Sequence, residues 1–284
     1  MPVSAVPTLP LEPIDLRLVV TDLDGTLLDG KGRIPERLWP LLDRLRQRGI
    51  TLAPASGRQY PSLRRLFARS PEGLAFIAEN GTFVVHDGDE LSSSPLDPDF
   101  VTRLVAMVRQ LAGDGHDVGL VWCGRGSAYI ERSDPAFVAE VARYYAALKP
   151  VDDLLEVEDE AIKCAVFDFG DAETGSAVTL TALCAPHQVV VSSPHWMDIM
   201  SEGVNKGVAL GQLQRELGVT PEQTVVFGDY LNDLEMLAAA PYSFAMANAH
   251  PDVIEVARFL APANHEHGVV RVIEQLLEQS RPAA

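Results

Sequence analysis

Short apolar runs alternate with helical segments at both ends of this chain, and that alternation restricts the fold more than any other feature. The run Leu16 to Thr21 carries Leu, Val and Val in succession, the mark of a strand buried on both faces. A helical segment follows from Pro35 to Arg48, with Leu38, Leu41, Leu42 and Leu45 on one face and Gly49 as its stop. The strand ITLAPAS, a helix from Tyr60 to Arg69 and the strand AFIAEN continue the rhythm. It resumes late in the chain. Lys206 to Leu217 reads as a helix, TVVFGD as a strand, Asn232 to Ala240 as a helix and YSFAMAN as a strand. Short elements at Asp252 to Ala257 and RFLAP lead to a last helix over Val269 to Gln279. Strand–helix alternation with short loops predicts an α/β fold, a doubly wound parallel sheet covered on both faces.

The middle of the chain breaks the rhythm. FVVHDGDELSSS reads as a hairpin around Asp87-Gly88. The helix Pro98 to Ala112 leads to two adjacent strands, DVGLVWC and GSAYIE. A helix from Asp134 to Leu148, the strand IKCAVFDFG, a helix from Ala172 to Cys184 and the strand QVVVSS complete the region. Adjacent strands without an intervening helix predict an inserted α+β domain with an antiparallel sheet. The expected division is a loose Pro-rich tail at 1–15, a core built from 16–84 and 193–284, and an insertion at 85–192. The acidic cluster from Asp152 to Glu160 reads as a solvated linker face.

Composition narrows the function classes. With 47% hydrophobic and 22% charged residues, the 284-residue chain has enough apolar material for a core. A formal charge of −17 argues against general nucleic-acid binding, which needs a basic surface. It leaves room for a local cationic pocket. Cys123, Cys164 and Cys184 share no ligand-like spacing and predict neither a disulfide framework nor a zinc site. The first twenty residues lack the basic flank of a secretory signal, and no window approaches a membrane span. The expectation is a soluble cytoplasmic protein, a monomer or homodimer, without nucleic-acid or membrane partners.

The strongest chemical signal is the acidic turn DLDGTLLDG. Asp22 stands at the carboxyl end of the first strand, where open α/β sheets bind ligands, and Asp24 follows two residues on. Two carboxylates so close suit one as nucleophile or metal ligand and the other as proton donor. Gly25 permits a sharp turn and Thr26 can cap the next one. A plain acidic capping loop is the competing reading. The calcium loop of an EF-hand is not matched, for its glutamate and flanking helices are missing.

GDYLNDLEM ends a second strand. It places Asp229 at the strand terminus and Asn232 and Asp233 at a helix start, where capping is the ordinary role. Asp229 with Asp22 gives two hard oxygen ligands on neighbouring strand ends, a donor set suited to Mg²⁺. Ser56, Gly57 and Arg58 end the second strand, with a hydroxyl and free amides suited to phosphate oxygens. Lys206 opens a helix and can set an ammonium beside a phosphate.

These motifs together resemble the phosphatases of the haloacid dehalogenase (HAD) superfamily, in the Cof-type branch with a large α/β cap. DLDGTLLD, ASGR, NKG and GDYLNDLEM occur in the family's order from Leu16 to Leu277, with the insertion between the second and third. The resemblance implies a Rossmann-like core and an inserted cap that closes over the site and reads the leaving group. It implies Asp22 as nucleophile, forming an aspartyl-phosphate, and Asp24 as acid and base. Ser56 and Lys206 then hold the transferring phosphoryl group. Mg²⁺ binds Asp22, Asp229 and the backbone carbonyl of Asp24, with Asp233 ordering the metal shell. Asn232 contacts the phosphate or Lys206. Asn80, in Asn80-Gly81, is either a substrate contact or part of a simple turn. Arg58 either orients substrate or pairs with an acidic cap residue.

The expected activity is hydrolysis of a small phosphomonoester, a sugar phosphate or similar metabolite. A phosphomutase acting on a hexose phosphate and a non-catalytic phosphometabolite sensor are the rivals; the acid/base Asp24 speaks against the sensor. The chain also departs from the family. Tyr230 replaces a small residue, which narrows the mouth or offers a ring for stacking. Asn264-His265-Glu266-His267-Gly268 replaces an acidic run. No third and fourth ligand accompanies His265 and His267, so a solvated loop is expected there. Trp196 is expected to pack at the junction of cap and core rather than under a substrate.

Overall fold

A computed structural model describes residues 9–70, 72–172 and 174–279. The described chain divides into two compact units, 9–57 with 66–92 and 205–279, and 58–65 with 93–204. Residues 1–8 of the expected tail lie outside the described residues. Within the rest of that tail Ile14 is already buried, so the ordered chain begins before the first strand.

The larger unit is built on an eight-stranded sheet. Its strands are β1 (Leu18–Asp22), β2 (Thr51–Ala55), β3 (Ala75–Ala78), β4 (Phe83–His86) and β5 (Asp89–Ser93), the last reaching one residue past the division. Later in the chain come β12 (Thr224–Gly228), β13 (Tyr242–Met246) and β14 (Phe259–Ala261). Their order is β14-β13-β12-β1-β2-β3-β4-β5. From β14 through β3 every pairing is parallel, and β3–β4 is antiparallel. β1 is buried at every residue, as an apolar run in the middle of a parallel sheet must be.

The chain leaves β1 towards β2 on one side and returns to β12 on the other. That reversal opens a crevice at the carboxyl ends of β1 and β12, the place where such sheets bind ligands. The acidic turn and Asp229 therefore emerge side by side.

Helices α1 (Leu38–Gln47), α6 (Lys206–Leu217), α7 (Leu234–Ala238), α8 (Pro251–Val256) and α9 (Gly268–Gln279) belong to this unit. α1 buries Leu38, Leu41, Leu42 and Leu45, the face read from their spacing. Leu210 and Leu213 of α6 and Met236 and Leu237 of α7 pack with Leu18, Val20, Ala53, Ile77 and Val226 of the sheet.

The smaller unit carries β6 (Val118–Gly124), β7 (Ala128–Ile130), β8 (Leu148–Pro150), β9 (Ala161–Asp168), β10 (Gln188–Ser193) and β11 (Trp196–Met200). They form a six-stranded sheet ordered β10-β11-β9-β6-β7-β8. The pairings are antiparallel except β7–β8. This is the antiparallel layer expected for the insertion. Helices α3 (Pro98–Gly113) and α5 (Ser176–Cys184) contribute Phe100, Leu104, Val108 and Leu180 to one core cluster. A second cluster gathers Phe137 and Val141 of α4 (Pro135–Val141) with Tyr145, Phe167 and Trp196. Trp196 is a packing residue, its ring set against those of Phe167, Tyr144 and Tyr145 within this unit.

The unit boundaries differ from the expected ones. The β4–β5 hairpin extends the larger sheet, turning at Asp87 and Gly88, both with positive φ. β11 joins the smaller sheet, which moves that boundary from 192 to 204. Residues 58–65, including the start of α2 (Tyr60–Leu66), pack with the smaller unit. The Gln59 amide bonds the N–H and C=O of Ala147, and the Ser62 hydroxyl donates to Tyr144 O and accepts from Ala146 N.

The helix expected over Asp134 to Leu148 stops at Val141. Tyr145 turns inward to bury its ring, and Leu148 is drawn into register beside Ala128. Tertiary pairing there overrides helix propensity. The three cysteines form no disulfide and are buried; burial pushes the Cys164 thiol up to about 12 and that of Cys184 up to about 11. They are small apolar residues without reactive character.

Candidate active site

Asp22 closes β1 opposite Ala55 of β2, so Ser56 follows directly beside it. The chain then runs into a five-residue turn, Leu23–Leu27, closed by Leu28 N donating to Leu23 O. Asp24 has extended dihedrals and Gly25 a φ of 85°. A Cβ on Gly25 would stand 2.1 Å from Asp229 Oδ2, so the position demands glycine for both its φ and its space. The turn presents Asp24 exposed to solvent and Thr26 buried. The hydroxyl of Thr26 donates to Asp229 Oδ1 at 2.8 Å, tying the first motif to the last.

Lys206 lies at the first turn of α6 with Asn205 capping, its side-chain oxygen accepting from Val208 N. Its ammonium is almost wholly enclosed and donates to Asp22 Oδ1 at 2.6 Å and to Asp233 Oδ1 at 2.7 Å. Asp233, also buried, turns its other oxygen to the backbone N–H groups of Asp229 and Tyr230. It thus closes the short turn Leu231–Asp233, clamps the strand end and serves as a counter-ion.

Oxygens of Asp22, Asp229 and Asp233 lie within 4.8 Å of one another. Burial holds the Asp22 carboxyl well above its usual value; Lys206 pulls it down, while Asp233 and Asp229 push it further up. Burial likewise pushes Asp229 up to about 6, against the Thr26 hydrogen bond and with the repulsion of Asp233. Burial alone would depress Lys206, but Asp22 and Asp233 outweigh it and keep the ammonium charged. Three carboxylates against one ammonium leave excess negative charge in a confined space. Hard, crowded oxygens of this kind fit a divalent cation such as Mg²⁺. The Asp24 side chain lies outside this carboxylate cluster; the expectation for it concerned its backbone carbonyl.

The neutral residues of the expected site gather nearby. Ser56 is buried at the end of β2, and its carbonyl accepts from Asn80 N. Asn80 is buried in the turn Glu79–Gly81, and its Oδ1 accepts from Asn232 Nδ2 at 3.2 Å. Gly57 leaves room for the Asn80 amide, which a Cβ would approach to 3.1 Å. Asn232 is therefore a partner of Asn80. Arg58 falls in the segment that packs with the smaller unit.

Tyr230 is half exposed, with its ring edge-on to His250. Among the described residues, His265 and His267 belong to no cluster of potential metal ligands. His265 is exposed, and His267 closes a short turn in left-handed conformation, in keeping with the expected loop.

One residue escaped the sequence reading. Asn248, just beyond β13, donates from Nδ2 to Gly25 O at 2.8 Å. Its only sequence signal is an asparagine at the carboxyl edge of a strand that was itself legible.

Comparison with known proteins identifies the family. Residues 19–273 match the haloacid dehalogenase-like hydrolase family. The chain belongs to that family. It is an enzyme of the superfamily's phosphatase kind, in the Cof-type branch anticipated from the four motifs. Its sequence is 32% identical over 275 residues to the 5-amino-6-(5-phospho-D-ribitylamino)uracil phosphatase YbjI of Escherichia coli, covering 95% of this chain and 99% of that one. It is 27% identical to an HMP-PP phosphatase of Cronobacter sakazakii, covering 88% and 90%. A solved structure from Streptococcus mutans superposes with a TM-score of 0.82 at 27% identity, covering 93% of this chain and 99% of that one. A haloacid dehalogenase-like hydrolase from Bacteroides thetaiotaomicron gives the same TM-score and identity, covering 92% and 99%. No helix among the described residues is long and apolar enough to cross a membrane.

Proposed function

We propose that this hydrolase is a Mg²⁺-dependent phosphatase acting on a small phosphorylated metabolite in the cytoplasm. The observation that carries the reading is the cluster of four charged residues at the strand ends: Asp22 bonded to Lys206, Lys206 to Asp233, and Asp229 alongside. Phosphoryl transfer needs chiefly positioning and charge neutralisation, and this arrangement supplies both. Buried cysteines without disulfides accord with a reducing compartment.

In this reading one Asp22 oxygen attacks phosphorus as the bond to the leaving oxygen breaks. Asp24, exposed on its turn, gives the leaving oxygen its proton. It then takes a proton from the water that cleaves the aspartyl-phosphate, which returns Asp22 and releases inorganic phosphate. Lys206 and the hydroxyl of Ser56 hold the non-bridging oxygens, and Lys206 keeps Asp22 aimed. Asp22, Asp229 and the Asp24 carbonyl would hold Mg²⁺, and Asp233 would fix Lys206 and the backbone of Asp229. The metal, when bound, offsets the charge of the phosphoryl group and of the crowded carboxylates.

The relatives' names direct the choice of substrates. A phosphorylated ribityl-pyrimidine, HMP-PP and common sugar phosphates form the first panel, with Mg²⁺ present or chelated. The expected result is Mg²⁺-dependent release of free inorganic phosphate from at least one member. Asp22→Asn should lower turnover at least about a thousandfold while the fold persists. Retained turnover in that variant, or an isomeric ester in place of free phosphate, would overturn the assignment.

A further inference from the structure

The acidic turn is not a regular helix, because Asp24 and Gly25 depart from helical dihedrals. Two of its carbonyls are held from elsewhere. Asn248 Nδ2 donates to Gly25 O at 2.8 Å, and Asn264 Nδ2 donates to Leu28 O at 2.9 Å. The two asparagines are linked, for Asn264 N donates to Asn248 Oδ1 at 2.9 Å. That bond settles which way the Asn248 amide faces, with its oxygen to Asn264 and its nitrogen to Gly25. The same loop reaches the second motif, where His250 N donates to Asp229 O at 2.8 Å.

We propose that Asn248, oriented by Asn264, is a positioning residue that sets the Asp24–Gly25 backbone against Asp229. Residues 248–250 touch both acidic segments at main-chain carbonyls, one through a side chain and one through a backbone N–H. The loop therefore acts as a gauge between them. With Gly25 O pinned, the following peptide is oriented so that the Thr26 hydroxyl meets Asp229. The preceding residue, Asp24, is held on a turn whose end is closed by the Leu28 N–H. Asn248 is exposed, so its amide contributes little to global stability. A rate effect on its removal would accordingly report geometry. The role rests on the phosphatase reading of the acidic turn.

The test compares the parent with Asn248→Ala and Asn248→Asp. The aspartate keeps an acceptor for Asn264 N and loses the donor to Gly25 O. p-Nitrophenyl phosphate with Mg²⁺ gives kcat and KM, and calorimetry gives Mg²⁺ affinity without turnover. Both variants should lose about 10–100-fold in kcat, the range for residues that orient site groups, with KM within about threefold. Both should also bind Mg²⁺ more weakly, with thermal midpoints within about 2 °C of the parent. Should the alanine variant not fold, the aspartate variant carries the comparison. A kcat within twofold of the parent in a folded variant overturns the proposal. So does full rescue by aspartate, which would reduce Asn248 to a link between loops. A parent without phosphatase activity would sink the functional reading instead, and the Mg²⁺ titration would still judge the brace: unchanged affinity overturns it.

Discussion

Burial decides the value of each charge at the strand ends. Asp22, Asp229, Asp233 and Lys206 occupy one small volume, and only Lys206 is positive. Asp229 is pushed up to about 6 from an ordinary value of 3.8. Between those values the folded protein keeps a proton that the unfolded chain has released. This group's contribution to stability is thus fully present below about pH 4 and is lost as pH rises through about 6. A cation competes with that proton, since only the carboxylate binds it. Mg²⁺ affinity should therefore be roughly tenfold weaker at pH 5.0 than at pH 7.5. Calorimetric titration at the two pH values checks this, and equal affinities would contradict it. The residues in this volume were legible because each stands at a strand end or helix start with a distinctive neighbour sequence. Thr26 was legible only as a local cap, and Asn248 not at all. Their partners, Asp229 and Gly25, lie more than two hundred residues away, and no local pattern announces such a bond.

Among the elements, the turn Glu79–Gly81 shows how a few strained residues can tie several segments. Glu79, Asn80 and Gly81 have φ of 50°, 57° and 101°, three left-handed residues in succession. Such backbone costs energy and persists where its surroundings enforce it. Here Asn80 meets Ser56 through its N–H and Asn232 through its side chain, while Gly81 lies against the carbonyl of Asn205, next to Lys206. A Cβ on Gly81 would come within 2.5 Å of that carbonyl oxygen. Gly81→Ala should destabilise the protein by about 2–3 kcal/mol and shift the start of α6, lowering kcat as well. Denaturant unfolding and turnover on the same preparation measure both; a neutral effect on each would count against this account. The sequence reading ran the strand AFIAEN to Asn80-Gly81 and allowed a turn there; the strand stops at Ala78 and the turn begins at Glu79. It could not show what the turn braces. Where elements were misjudged, as at Asp134 to Leu148, good helix formers were overruled by Tyr145 and Leu148 finding places in the smaller unit's packing.

For the whole molecule, the interruption of the strand–helix rhythm was enough to reveal an insertion, since a run of adjacent strands departs from the alternation that builds a parallel sheet. Its edges were harder to place. Strand β5 is short and polar and β11 is apolar, and in each case pairing rather than local sequence assigns the strand to its sheet. The charge of −17 also acts at this scale. Several of its arginines sit in exposed ion pairs, such as Arg33–Asp29, Arg46–Asp43 and Arg69–Glu36, which contribute little singly. What remains is net repulsion among carboxylates, and salt screens it over about 10 Å at 0.1 M. Raising NaCl from 10 to 200 mM should therefore lift the thermal midpoint of the metal-free protein, by about 2–4 °C for each kcal/mol gained. On the proposed metal site, millimolar MgCl₂ at matched ionic strength should lift it further by binding among Asp22 and Asp229. Asp229→Asn separates the two effects: the NaCl response persists, while the extra response to MgCl₂ disappears. A midpoint that falls with NaCl would mean that ion pairs, rather than repulsion, dominate the surface. An undiminished MgCl₂ increment in Asp229→Asn would place the cation away from the strand ends.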